Sequence, residues 1–222
     1  MGFGYRQSGE AVEWMILTIG HLSVNKFWGE TERRRGALCT CTLLRTTDGL
    51  AIIDPSVPPE QMAALLNDQA GLRSEDVATV LLTHFHGDHR FGLEAFPGAK
   101  WYMAAAEIVD WQPRVGAADA ALLERILPAD DTTLPGCRLL PTPGHTLGHH
   151  SLLFSWRGRR VAVAGDAAMT EDFYRAGEGY HNSVDMAQAR ASIDLLGHEA
   201  DVIIPGHDNV FVPTWAPRDA AL

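Results

Sequence analysis

Apolar and polar positions switch period several times along the chain. Residues 14–19 and 38–46 are rich in apolar and β-branched side chains, which suit a pleated, half-buried surface. Asp48-Gly49 offers a tight turn into a third apolar run at 51–53, so the opening stretch predicts a β-meander. Pro58-Pro59 then starts a segment in which Met62, Leu65 and Leu66 recur at helical spacing, with Gly71 as its stop.

Val80-Leu81-Leu82 is a short, wholly apolar run that ends abruptly at Thr83-His84, the pattern of a buried strand delivering polar residues to its tip. Residues 100–103 predict a strand, and 104–111 and 117–126 predict helices separated at Pro113. Strands are expected at 138–140, 151–156 and 160–164, the last two joined at Arg157-Gly158-Arg159. A second amphipathic helix at 186–196 precedes a last strand at 202–204, which runs into Pro205-Gly206-His207. This alternation predicts a layered α/β fold, and with no repeat or linker, residues 1–222 read as one domain. Thr83 onward, Thr142 onward, Gly165-Asp166 and Gly206-His207 all follow apolar runs, and a layered fold collects such strand ends on one edge.

Composition narrows the partners. Hydrophobic content of 46% with 21% charged residues excludes a mostly disordered chain. The net charge of −10, with no basic run longer than Arg33-Arg34-Arg35, disfavours nucleic acid. No stretch reaches the ~20 apolar residues of a membrane span, and residues 1–14, carrying Arg6, Glu10 and Glu13, lack the apolar core of a secretory signal. The odd cysteine count, Cys39, Cys41 and Cys137, fits a reducing compartment, so a cytoplasmic location is expected. Cys39 and Cys41 would share one face of a strand, where simple burial outweighs a thiolate metal pair.

The densest chemistry is Thr83-His84-Phe85-His86-Gly87-Asp88-His89, three imidazoles and a carboxylate in close succession. Imidazole with carboxylate suits zinc, and also iron, manganese or cobalt, whereas calcium and magnesium favour oxygen donors. Ligands this crowded point to two adjacent divalent ions. Three more donors each follow a glycine: Pro143-Gly144-His145, Ala164-Gly165-Asp166 and Pro205-Gly206-His207.

This string of elements resembles the metallo-β-lactamase superfamily, whose hallmark is HxHxDH followed by a histidine, an aspartate and a final histidine. The resemblance implies an αββα sandwich with a dinuclear metal site at one edge of its sheets. Position by position, it implies that His84, His86 and His145 hold one ion, that Asp88, His89 and His207 hold the other, and that Asp166 bridges them. It also implies a hydrolase of small molecules. Two ions sharing a water lower its pKa toward neutrality, and the metal-bound hydroxide is expected to attack a lactone, ester or thioester carbonyl while Asp88 shuttles the proton.

Pro141 to Leu153, PTPGHTLGHHSLL, together with Gly206-His207-Asp208, is similar to the N-acyl homoserine lactone lactonases. Those enzymes carry a tyrosine three residues after the bridging aspartate, where this chain has Met169, so Tyr174 or Tyr180 would have to replace it. Met169, Tyr180 and His181 are accordingly the expected substrate contacts, within pocket-forming stretches at 27–35, 101–127 and 170–184. His149 and His150 read as supports behind the ligands, and His21 and His198 as structural.

The absence of cysteine after Cys137 disfavours the commonest zinc β-lactamases, and the fifteen residues after His207 leave no room for the helical extension of hydroxyacylglutathione hydrolases. Phosphodiesterases and RNA-processing nucleases share the metal core and form the first alternative; iron-dependent oxidoreductases form the second, without their added flavin domain. Oligomeric state is left open, and a dimer is compatible with the sequence.

Overall fold

The structure, a computed structural model, describes residues 12–213; the outer parts of the domain assigned to 1–222, including most of the stretch inspected for a signal, lie outside the described residues. The chain runs β1 (Glu13–Thr18), β2 (Cys41–Thr46), β3 (Gly49–Ile53), α1 (Pro59–Ala70), β4 (Val77–Leu82), α2 (Gly87–Arg90) and β5 (Lys100–Ala104). It continues through α3 (Ala105–Trp111), α4 (Ala117–Glu124), β6 (Leu127–Ala129), β7 (Cys137–Pro141), β8 (His150–Trp156) and β9 (Arg159–Gly165), and closes with α5 (Glu171–Ala176), α6 (Met186–Glu199) and β10 (Val202–Pro205).

One sheet has the order β1-β2-β3-β4-β5-β6 and the other β10-β9-β8-β7. The predicted meander is the antiparallel β1-β2-β3 unit. From β3 onward the first sheet is parallel, and β9 and β10 pair in parallel in the second. Alternation along the strands builds three apolar layers. Leu43, Ile52, Val80 and Leu82 face outward with Met62 and Leu66 of α1. Their neighbours Leu44, Ala51, Ile53 and Leu81 meet Leu152, Phe154, Val161, Val163 and Ile204 between the sheets. Leu153, Ala162 and Ile203 turn out toward Ile193 and Leu196 of α6. Helix, sheet, sheet, helix is the expected αββα sandwich.

Four local expectations change. The first hairpin turns at Thr47-Asp48, because Thr46 pairs with Gly49 and its hydroxyl accepts from Asp48 N at 3.2 Å, so Gly49 already belongs to the strand. The run expected at 38–46 breaks because Thr40 bonds elsewhere, its N–H donating to Gly206 O at 2.6 Å and its hydroxyl to Asp208 O at 2.9 Å. Within 170–184 lies the short helix α5, capped by Thr170 at its start and left-handed Gly177 at its end. The three-residue β6 was too short to register as an apolar period, and it exists through its parallel pairing with β5.

Candidate metal centre

The edge that carries the site is set by parallel pairing. Ile53 lies beside Leu81, and Gly165 beside Pro205, so the C-terminal ends of β3, β4, β9 and β10 all emerge on one side. β8 runs antiparallel to β9, which brings the β7–β8 loop and His145 to the same edge. Two glycines let the loops close. A Cβ on Gly165, whose φ is +51°, would lie 2.5 Å from Thr83 Oγ1, and one on Gly206 would lie 2.1 Å from Asp166 Oδ1.

His84, His86, His145 and Asp166 bring one ligand atom each within 4.8 Å of one another, and Asp88, His89 and His207 form a second such group. His86 Nδ1 is 2.9 Å from both His84 Nε2 and His145 Nε2. Asp166 spans the groups with different oxygens. Its Oδ2 lies 3.0 Å from His145 Nε2 and 3.7 Å from His84 Nε2, while its Oδ1 lies 3.1 Å from His89 Nε2 and 3.3 Å from His207 Nε2. Asp88 Oδ2 is 3.7 Å from His207 Nε2, and its side chain is 21% exposed, so Asp88 and the half-buried His86 are the more open members of the cluster.

These atoms fit metal ions better than they fit each other. A tetrahedral ion at about 2.0–2.1 Å from its donors spaces them roughly 3.3 Å apart, and the separations above straddle that value. His89 Nδ1 donates to Asp54 Oδ2 at 2.9 Å, so in the neutral ring Nε2 carries a lone pair. That atom and Asp166 Oδ1 face one another, both buried and both without a hydrogen-bond partner. Two lone pairs in this position call for a cation between them.

The charge states agree. Burial, reinforced by neighbouring imidazoles, holds His84 well below the ordinary histidine pKa and His86 down to about 4, so both present neutral donors. Burial works against a charge on Asp166, but His89, His207 and His145 overcome it and keep the carboxyl well below its usual range. Burial likewise opposes a charge on His89, yet Cys39, Asp166 and Asp54 push its pKa well up. A ring so placed favours positive charge beside it, proton or metal ion.

The supports behind the ligands include two carboxylates that lie outside the ligand motifs. Asp54, at the tip of β3 with a φ of 53°, accepts from Thr83 N at 2.8 Å, Thr83 Oγ1 at 2.7 Å and His89 Nδ1. The rule that picked out the ligands, a polar residue just beyond an apolar strand, also points to it. Glu107, wholly buried on α3, accepts from Phe85 N at 3.1 Å, Trp111 Nε1 at 2.7 Å and Thr146 Oγ1 at 2.7 Å. It thereby ties the 84–89 loop to the His145 loop, and Trp111 stands edge-on to the His86 ring at 5.5 Å. Its only signal was an acid flanked by apolar residues on a helix that also carries Asp110.

Asp166 N donates to His149 Nε2 at 3.2 Å, and His149 Nδ1 lies 2.9 Å from Thr142 Oγ1, so this histidine supports rather than faces the ligand cluster. His150 Nδ1 donates to Gly148 O at 2.7 Å. His207 Nδ1 donates to Leu38 O at 2.8 Å, leaving Nε2 toward Asp166.

The expected substrate contacts fall differently. His181 is exposed and Tyr180 is buried, and both line a pocket of about 350 Å³. Met169 is 2% exposed and packs with Leu22, Phe173 and Tyr180, so its side chain lies beneath that pocket rather than in its wall. Tyr174 stacks on Phe211 with centroids 5.1 Å apart, and the Tyr180 hydroxyl donates to Val24 O at 2.8 Å. Of the three stretches expected to form it, only 170–184 lines this pocket; neither 27–35 nor 101–127 does, and α3 turns Glu107 inward instead. Cys39, Cys41 and Cys137 are all buried and free. Burial pushes the Cys39 and Cys137 thiols up to about 12, and Cys41 well up, so they are packed thiols.

Fold and site together define an αββα sandwich with a two-centre His/Asp cluster at one edge of its sheets. The sequence profile of the Metallo-beta-lactamase superfamily matches residues 34–207, and the chain belongs to that superfamily. Relatives include an N-acyl homoserine lactonase of Bacillus cereus, 25% identical over 162 residues, covering 69% of this chain and 65% of that one. A hydroxyacylglutathione hydrolase of Acidiphilium cryptum is 35% identical over 163 residues, covering 67% and 59%. These matches thus span less than two thirds of each relative's length. Among solved structures, a mutant of AiiA from B. thuringiensis with N-decanoyl-L-homoserine bound at the active site superposes with a TM-score of 0.68, at 22% identity, covering 90% of this chain and 93% of that one. Among the described residues, no helix is long and apolar enough to cross a membrane.

Proposed function

We propose that this protein is a dinuclear metal-dependent hydrolase of small molecules that cleaves a lactone, ester or thioester carbonyl. The observation that carries this reading is Asp166, whose two oxygens serve two separate ligand groups. His84, His86 and His145 would hold one ion and Asp88, His89 and His207 the other, with Asp166 between them. Zinc suits this nitrogen-rich donor set. When bound, the pair supplies an acidified water and a Lewis acid for the carbonyl.

The chain's own residues do the rest. Asp54 orients His89, and His149 fixes the backbone of Asp166, so the donors are set before substrate arrives. Asp88, a half-buried carboxylate, would carry a proton to the leaving oxygen or sulfur. The relatives named lactonases and hydroxyacylglutathione hydrolases support a carbonyl target.

Metal analysis of the purified protein should find two zinc ions per chain. N-hexanoyl homoserine lactone, a thioester, a β-lactam and bis(p-nitrophenyl) phosphate should then be compared, with lactone or thioester turnover abolished by His86→Ala. Turnover of the phosphodiester alone would replace this reading with the phosphodiesterase one, and oxygen consumption with bound iron would replace it with the redox one.

A further inference from the structure

The 350 Å³ pocket is assembled from the continuations of the ligand-bearing loops. His21 O lies 3.3 Å from His207 Nδ1, and the same segment reaches the pocket at Val24 and Lys26. Beyond Asp166, Met169 O accepts from His207 N at 2.8 Å, while its side chain packs under Phe173 and Tyr180. On the third side, Val184 N donates to His145 O at 3.2 Å and Asp185 N to Gly144 O at 2.9 Å, just before Met186 and Arg190 of α6 line the cavity. The pocket therefore sits between the segments that hold His207, Asp166 and His145, where the non-reacting part of a substrate would lie.

Its chemistry is mixed. Val24, Phe173, Tyr180 and Met186 give apolar walls, and two cations, Lys26 and Arg190, also line the cavity. Lys26 is already paired with Glu178 and lies over the Phe27 and Phe173 rings, 5.0 Å and 5.5 Å from their centroids. Arg190 is exposed and has no ion-pair partner among the described residues, in a chain of net charge −10. A largely apolar cavity with an exposed, unpaired guanidinium in its lining fits a short aliphatic tail ending in an anion, which a guanidinium binds in bidentate fashion.

We propose that the substrate carries such a tail, a carboxylate-terminated acyl chain, and that Arg190 selects for it. The identification of the tail with a substrate rests on the hydrolase reading above; the binding preference itself does not. Two paired comparisons test it in the full chain. In binding, a dansylated fatty acid should bind about fivefold more tightly than its methyl ester, the size expected of an ion pair open to water on one side. In turnover, kcat/KM for N-adipoyl homoserine lactone should exceed that for N-hexanoyl homoserine lactone by a similar factor. Arg190→Glu should reverse both preferences, and Arg190→Lys should keep part of them.

Equal binding of acid and ester, or a preference that survives Arg190→Glu, overturns the inference even when both lactones are hydrolysed. An acid preference that disappears in Arg190→Glu while neither lactone turns over supports the pocket assignment and removes the lactonase reading instead.

Discussion

Glu107 offers a direct test of how the ligand loops are held. Its carboxylate is wholly buried, and its two oxygens divide the contacts unevenly: Oε1 accepts from Phe85 N and Trp111 Nε1, and Oε2 accepts from Thr146 Oγ1. Truncation to alanine would strand three donors, the Phe85 and Thr146 groups buried and the Trp111 indole half-buried. At about 1–3 kcal/mol for each unsatisfied group, partly relieved by water entering the space, Glu107→Ala should cost about 3–5 kcal/mol. Glutamine behaves differently. Its Oε1 can keep the Phe85 and Trp111 bonds, and its amide can donate to Thr146, whose hydroxyl is able to accept.

Burial, moreover, raises the Glu107 pKa above its ordinary 4.5, against the pull of its three donors, so folding disfavours the charged form. A carboxyl raised in this way adds stability at low pH, and that stability is lost as pH climbs from 4.5 through the folded value. Glu107→Gln should therefore stay within about 1 kcal/mol of the native protein and gain on it as pH rises. Urea unfolding at pH 4, 5.5 and 7, followed by far-UV circular dichroism, measures all three proteins. Should glutamine lose as much as alanine, or lose ground with rising pH, acceptor geometry is not what holds the two loops.

Other expectations follow from single contacts. Gly206→Ala places a methyl 2.1 Å from Asp166 Oδ1, so, on the proposed dinuclear reading, it should lower the metal content per chain without replacing a ligand; metal content equal to the native protein's by mass spectrometry would contradict this. With burial pushing Cys39 and Cys137 up to about 12 and Cys41 well above the ordinary thiol range, all three should resist a disulfide reagent at pH 8 and react once the chain is unfolded. Arg160 holds the Asp201 carboxyl at about 2, so the native protein's advantage over Asp201→Asn, under about 1 kcal/mol for an exposed pair, should be complete above pH 4 and vanish toward pH 2 in acid unfolding curves.

The candidate ligands were legible in the sequence because their chemistry is concentrated: four fall in one short motif, and the other three each follow a glycine just beyond an apolar run. Asp54 and Glu107 carry no such concentration. A single acid after a strand reads as a turn residue, and an acid on a short helix that also carries Asp110 reads as solvated; only burial at 1% and 0% separates Asp54 and Glu107 from surface carboxylates. Met169 lies outside the pocket lining for a related reason. Spacing from Asp166 placed it near the site, but whether a side chain faces the pocket or the floor depends on Leu22, far away in sequence. Periodicity also passed over β6 and α5, since three and six residues span too few repeats to show a period.

Two parallel pairs explain why the site can exist at this edge at all. An antiparallel pair sends its two C-terminal ends to opposite sides of a sheet, whereas β3 with β4, and β9 with β10, send both to one side. The pairs pack face to face through Ile53, Leu81, Val163 and Ile204, so their four tips converge above one apolar layer. A slip of one residue between β9 and β10 would move His207 by about 3.3 Å relative to Asp166, which is as large as the 3.3 Å now separating His207 Nε2 from Asp166 Oδ1. It would also turn Val202 and Ile204 out of the core. The interior packing that fixes strand register is thus also what fixes the distance between the two halves of the site.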